Sequence, residues 1–168
     1  MRLGDLRQAQ AGQVRVAQFQ NARQRDKIRS LVTASVEAGA RLAAGGTYEG
    51  LFYRPTVLAD VTPSTPAHAH EVFGPVAPVI SFRDEEEAVA LARDTEYGLS
   101  LGILSRDVMK ALALAERIPT GIVHINDQTV SDEAVAPFGG VGASGTGARF
   151  GGAAANVEAF TEKQWLTM

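Results

Sequence analysis

The stretch His68-Ala69-His70-Glu71-Val72-Phe73-Gly74-Pro75 holds the residue types in this chain best suited to chemistry, and it leads directly into the apolar run Val76-Ala77-Pro78-Val79. A carboxylate at Glu71 can accept hydrogen bonds from vicinal hydroxyls, as a ribose presents them. The ring of Phe73, two residues on, can pack on a flat heteroaromatic. A Gly74-Pro75 turn would fix the relation of the two. The same pattern also serves as ordinary core-plus-turn chemistry, so both readings stand at this point.

Other constellations carry less. Two imidazoles and a carboxylate, His68, His70 and Glu71, are ligand types that suit zinc. The third and last histidine, His124, lies far off in an apolar run, so surface histidines are expected and no metal site is. Gly140-Val141-Gly142-Ala143-Ser144-Gly145 matches G-x-G-x-x-G. The dinucleotide fingerprint needs a strand just before it, a helix opening inside it and an acid on a second strand. Here the preceding apolar run ends well upstream and no second strand can follow, so a flexible loop with tight turns is the expectation. No lysine follows a glycine run as in a phosphate-binding loop. No G-x-S-x-G elbow surrounds Ser144, which reads as a loop serine.

Composition bounds what such residues can belong to. A chain of 168 residues has room for one domain with a core. Apolar residues at 45% and charged residues at 21% describe a soluble globular protein. A net charge of -3 spread along the chain makes no case for nucleic acid or an anionic membrane as partner. No apolar run approaches the ~20 residues of a membrane span, and the start lacks a secretory h-region. A cytoplasmic location is expected. The count of 0 cysteines excludes disulfides, thiolate metal sites and thiol nucleophiles within these residues.

The elements that must position the loop follow from periodicity. Residues 1–20 carry little, and read as weakly structured or a marginal helix. From Arg23, the spacing of Ile28, Leu31, Val32 and Val36 predicts a helix that stops near Gly39. "LFYRPTVLADV" reads as extended, with Pro55 placing it at an edge or making it irregular. "APVISF", "LSLGILS" and "IVHIN" read as strands. Between them lie "RDEEEAVALARDTEYG", acidic in its first turn as the macrodipole favours, and "RDVMKALALAERIPTG". The latter puts Val108, Ala111, Leu112 and Ala115 on one face and ends at Pro119 and Gly121. This alternation predicts two consecutive βαβ units, hence α/β class with a largely parallel sheet. A glycine-rich loop follows, then a short Ala-rich helix about 152–160, then the tail "TEKQWLTM".

Taken together, "GLFYRPTVLADV", "HEVFGPVAPVISF", "EEAVALARDTEYGLSLGILSRD", "IVHIND" and "APFGGVGASGTGARFGG" resemble the aldehyde dehydrogenase superfamily in order and spacing. The helix "NARQRDKIRSLVTASVEAGARLAAGG" does so too, and the flavour is that of bacterial benzaldehyde, vanillin and salicylaldehyde dehydrogenases. The resemblance covers residues 21–168 and sets residues 1–20 apart as unmatched. It implies the C-terminal part of a catalytic domain over 21–160 and an oligomerisation strand over 161–168, and therefore a homo-oligomer. It implies Glu71 at the nicotinamide ribose, Phe73 beside the nicotinamide and Phe138 near the aldehyde tunnel. Two departures are visible. His70 stands where the family commonly has an acid, and Ser144-Gly-Thr-Gly-Ala-Arg-Phe-Gly-Gly replaces S-G-x-G-R-E-x-G.

In the complete enzyme the resemblance implies NAD- or NADP-dependent oxidation of an aldehyde, an aromatic one, to its carboxylic acid. The family's cysteine nucleophile, general base and nucleotide-binding domain lie upstream of the matched region. Losing a covalent nucleophile lowers such rates by ~10⁴ or more. The expectation is therefore that this chain holds no catalytic residue, binds no cofactor and is inactive alone. The alternatives are a self-associating module and a piece that complements a separate Cys-containing half.

Overall fold

Asn21 starts the first helix, α1 (Ala22–Glu37), by accepting the Gln24 amide on its side-chain oxygen at 3.0 Å. That bond satisfies one of the donors a first turn leaves over. At the far end Gly39 takes φ 104, where glycine is favoured. Its amide and that of Ala40 close onto the carbonyls of Val36 and Ser35, so the helix stops where the sequence predicts. The computed structural model describes residues 17–130, 133–147 and 149–167. They divide into two units, one ending at Phe82 and one beginning at Arg83, each taken here by itself.

In the first unit β2 (Arg41–Ala44), β5 (Thr56–Ala59) and β6 (Val76–Pro78) form a sheet with β5 in the centre. β5 runs antiparallel to β2 and parallel to β6. A smaller antiparallel sheet joins β1 (Ala17–Gln18), β4 (Phe52–Tyr53) and β3 (Tyr48–Glu49). Ile28, Val32, Tyr53, Leu58 and Val61 make the core, with Phe19 and Val72 packed against it. The buried stripe of α1 is Ile28, Val32 and Ser35. The expected Val36 faces outward instead, because Ser35 has its hydroxyl satisfied and can occupy the core side.

In the second unit β7 (Ser100–Ile103), α4 (Val108–Ala115) and β8 (Ile122–Ile125) make one βαβ unit. Its strands are parallel, with Ser100 opposite Ile122 and Ile103 opposite Ile125. α3 (Glu85–Arg93) is capped by Asp84, which accepts the Glu87 amide at 2.9 Å, and α4 by Asp107, which accepts that of Lys110 at 3.0 Å. Lys110–Glu85 and Arg117–Glu86 ion pairs join the two helices. The Arg117 guanidinium holds the Glu86 carboxyl below its ordinary range. These pairs are exposed and weaken in salt. The short α5 (Ala153–Ala159) ends the regular structure. No helix among the described residues is long and apolar enough to cross a membrane.

The α/β class is as expected, and parallel pairing occurs within each unit. β6 pairs with β5, and β7 with β8. Pro55 lies just before β5 rather than inside it, so Thr56–Ala59 is free to pair on both sides. Residues 161–167 pair as a strand with none of the described residues. Trp165 there is 89% exposed.

Tyr53 is fully buried, edge-on to Phe19 at 6.0 Å and stacked on Tyr48 at 6.1 Å, yet its hydroxyl has no hydrogen-bond partner among the described residues. Burial pushes that hydroxyl above its ordinary value of 10.0, against the lowering effect of Arg29. An unpaired buried hydroxyl is destabilising. Tyr53→Phe is therefore expected to raise stability by up to about 1 kcal/mol, roughly 2–4 °C in Tm by calorimetry. Because the folded-state value is raised, stability is full below pH 10.0 and falls as pH climbs through that value. The variant should lose that alkaline fall. A lower Tm for Tyr53→Phe would mean that the hydroxyl has a partner.

Candidate functional site

The loop that carries Glu71 and Phe73 is built from its upstream turn. Pro66 opens the short helix α2 (Pro66–Ala69), where its missing N–H is no loss. Thr65 precedes it, but its side chain accepts the Thr62 amide at 3.0 Å and gives α2 no cap. The Ala67 amide bonds instead to the Ser35 hydroxyl at 3.0 Å, and that hydroxyl donates to the Leu31 carbonyl at 2.7 Å. Downstream, the Gly74 amide reaches back to the Val72 carbonyl at 2.9 Å, and the Val76 amide to the Gly74 carbonyl at 2.8 Å. These are three-residue turns about Phe73 and Pro75. The Pro75 carbonyl then accepts the Thr56 amide at 2.8 Å, which starts the β5–β6 ladder.

The consequence is an alternation that the turn enforces. Val72 packs on the core, whereas Phe73 is turned out and stays 69% exposed. Glu71 is exposed as well, and no side-chain bond ties it to the described residues. A Cβ at Gly74 would stand 3.0 Å from Ile28 Cγ1 and 3.1 Å from Phe19 Cζ. Glycine there lets the loop lie directly on α1. The structure thus brings Glu71 and Phe73 onto one braced loop, with both side chains open. His68 and His70 lie at α2 and its C-terminal cap. Among the described residues no group of three or more His, Cys, Asp or Glu is placed to hold a metal ion. His124 is buried in β8.

Phe138 belongs to the second unit, where it pairs with Phe150 in an isolated antiparallel bridge and is 42% exposed. The glycine-rich stretch around it turns tightly, as at Gly142–Ser144, and packs closely on other backbone. A Cβ at Gly121 would stand 1.7 Å from the Gly139 carbonyl oxygen. At Gly142 it would stand 2.4 Å from that of Glu96, and at Gly151 1.9 Å from that of Ala136. Backbone therefore packs on backbone, and the glycines are the points of closest approach. Ser144 accepts the Gly98 amide at 3.2 Å, so its part is structural. Arg149, at the position where the sequence departs from the family pattern, donates to the carbonyls of Gly121 at 3.1 Å and Gly139 at 3.3 Å. Sequence reasoning missed both Arg149 and Ser35. The one visible signal for Ser35 was a serine seven residues after Ile28 on an otherwise apolar stripe.

Comparison with known proteins gives a consistent picture. The model of the Aldehyde dehydrogenase family matches residues 1–166, which takes in residues 1–20 that the sequence reading set apart. The chain is 67% identical over 156 residues to a vanillin dehydrogenase of Amycolatopsis sp., covering 93% of this chain and 32% of that protein. It is 46% identical over 156 residues to a benzaldehyde dehydrogenase [NAD(+)] of Pseudomonas putida, with the same two shares, 93% and 32%. A solved salicylaldehyde dehydrogenase from Pseudomonas putida G7, complexed with salicylaldehyde, matches with a TM-score of 0.84 at 36% identity over 91% of this chain and 31% of that one. A Mycobacterium tuberculosis aldehyde dehydrogenase complexed with NAD+ matches with 0.79 at 35% identity, over 84% and 30%. The chain spans about a third of the length of the curated relatives it matches.

The two close approaches predict different sensitivities. Gly121→Ala puts a methyl into a carbonyl that cannot move alone, and is expected to destabilise by about 3 kcal/mol or more. Gly74→Ala meets side-chain atoms that can give a little, and should cost about 1 kcal/mol. Urea titration of both variants checks the order. Equal midpoints would refute the backbone-on-backbone account.

Proposed function

The chain belongs to the aldehyde dehydrogenase family, and from that membership we propose that it supplies the nicotinamide-side loop and part of the aldehyde-side wall of an NAD(P)-dependent aromatic aldehyde oxidation. The observation that carries this reading is the braced loop, which holds Phe73 outward while Val72 anchors it to the core. An open carboxylate next to an open ring fits a nicotinamide riboside. Glu71 would accept hydrogen bonds from its two hydroxyls, and Phe73 would cover one face of the flat ring and keep water from it. NAD(P), when bound, takes up the hydride. Phe138 would border the aldehyde, and an aromatic substrate agrees with what the vanillin, benzaldehyde and salicylaldehyde relatives are named for. A cytoplasmic site of action is part of the same reading.

No residue of the 168 is a cysteine, so the thiol that attacks the aldehyde in this family has to come from other residues. The purified chain alone is expected to form no NADH from vanillin or benzaldehyde. Mixed with the Cys-containing remainder of a vanillin dehydrogenase, it should restore aldehyde-dependent NADH formation. Glu71→Ala should then lower the restored rate roughly 10- to 100-fold, the worth of hydrogen bonds to a charged group. NADH formation by the chain alone, abolished by Glu71→Ala, would sink the reading.

A second reading, self-association through the tail, is favoured by Trp165 and Leu166, which are 89% and 77% exposed. Apolar surface of that kind marks contact with another chain. Light scattering should find a homo-oligomer that becomes a monomer when residues 161–168 are removed. A monomer in both cases counts against it.

A further inference from the structure

Ile28, Val32 and Ser35 line one buried face of α1, and Ser35 is the most enclosed of the three at 0% exposed. A polar residue at such a place has to have its donor and acceptor matched. Ser35 does, and its acceptor function is spent on a specific backbone group, the Ala67 amide. That amide lies in the first turn of α2, where helix donors lack internal partners. The residue that would ordinarily serve it, Thr65, has its side chain engaged with Thr62. Ser35 therefore caps α2 from a different helix.

Gly74 is the second fixed point, seated against Ile28. Ile28 and Ser35 are two turns apart on α1, ~10.5 Å at 1.5 Å per residue. Ala67 and Gly74 are also seven positions apart, and an extended segment of that length would reach ~23 Å. The loop must fold to fit between its two pins, and it does so as α2 and the turn about Phe73. The distance between the pins thus sets how the slack is taken up, and with it where Glu71 and Phe73 stand. We propose that Ser35 is a positioning residue of the Glu71–Phe73 loop, acting as the cap of α2 and fixing the loop's register on α1. The functional consequence rests on the cofactor role proposed for Glu71 and Phe73, whereas the positioning itself does not.

The test is amide hydrogen exchange, read residue by residue by NMR on the full 168-residue chain. In the unaltered protein the Ala67 amide should be protected, unlike an ordinary first-turn amide. Free exchange at Ala67 overturns the proposal even if no variant folds. Ser35→Ala should speed exchange at Ala67 and Gly74 at least tenfold more than at the β2–β5 ladder. Val32→Ala weakens the same core without touching the bridge, and should speed loop and ladder in the same proportion. If both variants change loop and ladder alike, Ser35 is only a core residue and the proposal fails. No nucleotide enters these measurements. A chain that never works with NAD(P) leaves this result standing, and a failed exchange test leaves the cofactor reading to the complementation assay.

Discussion

Ile28 is 1% exposed, and with Phe19 it lies so close to the backbone of Gly74 that even a methyl group on the glycine would press on both. Burying a side chain of this size stabilises by about 1.5–3 kcal/mol, and most of the first unit is arranged to allow it. β5 supplies the floor through Leu58, β4 supplies Tyr53, and the loop after α2 closes the top. The loop has almost no regular structure of its own. It lies on a helix whose position the core already determines, with Ser35 and Ile28 as its contacts there.

The second unit meets a similar demand by the opposite means. Where the first interdigitates side chains, the second removes them, so that the stretch after β8 can lie on the backbone at Gly98 and Gly121. Hydrogen bonds then take over from apolar contact. Val141 donates to the Gly98 carbonyl, Ala143 to that of Glu96, and Arg149 ties Gly121 to Gly139. Glycine in such a stretch raises the entropy lost on folding. Here that loss is opposed by the backbone bonds of Val141, Ala143, Ser144 and Gly145, and the Phe138–Phe150 bridge holds the base of Phe138.

What could be seen in advance follows the range of the interactions involved. The stop at Gly39 and the acidic first turn of α3 are local, and the pattern of residues predicts both. Glu71 and Phe73 stood out because a carboxylate and a ring two positions apart are themselves a chemical signal. Strand partners did not, since β5 chooses β2 and β6 through residues distant in sequence. Pro55 did mark an irregularity, the break between β4 and β5, but a proline before a strand and one within it look alike until the pairing is known. The close approaches of the glycine-rich stretch were hidden for a related reason. Glycine permits both flexibility and close packing, and only the facing backbone decides between them.

That difference in range bears on how such a loop can serve a ligand. Among the described residues no side-chain bond holds Glu71 or Phe73, yet the backbone that carries them is held from behind by a buried hydroxyl and a buried isoleucine. A group that docked there would not have to order the loop, and ordering a mobile segment is among the larger opposing terms in binding. A single exposed phenylalanine on a protein surface needs no explanation. One turned outward by two successive tight turns, beside an exposed carboxylate on a backbone with little freedom left, is in the condition that binding by preorganisation requires. The direction of Phe73 is thus a consequence of Val72 packing on the core and of the close seat of Gly74 on α1.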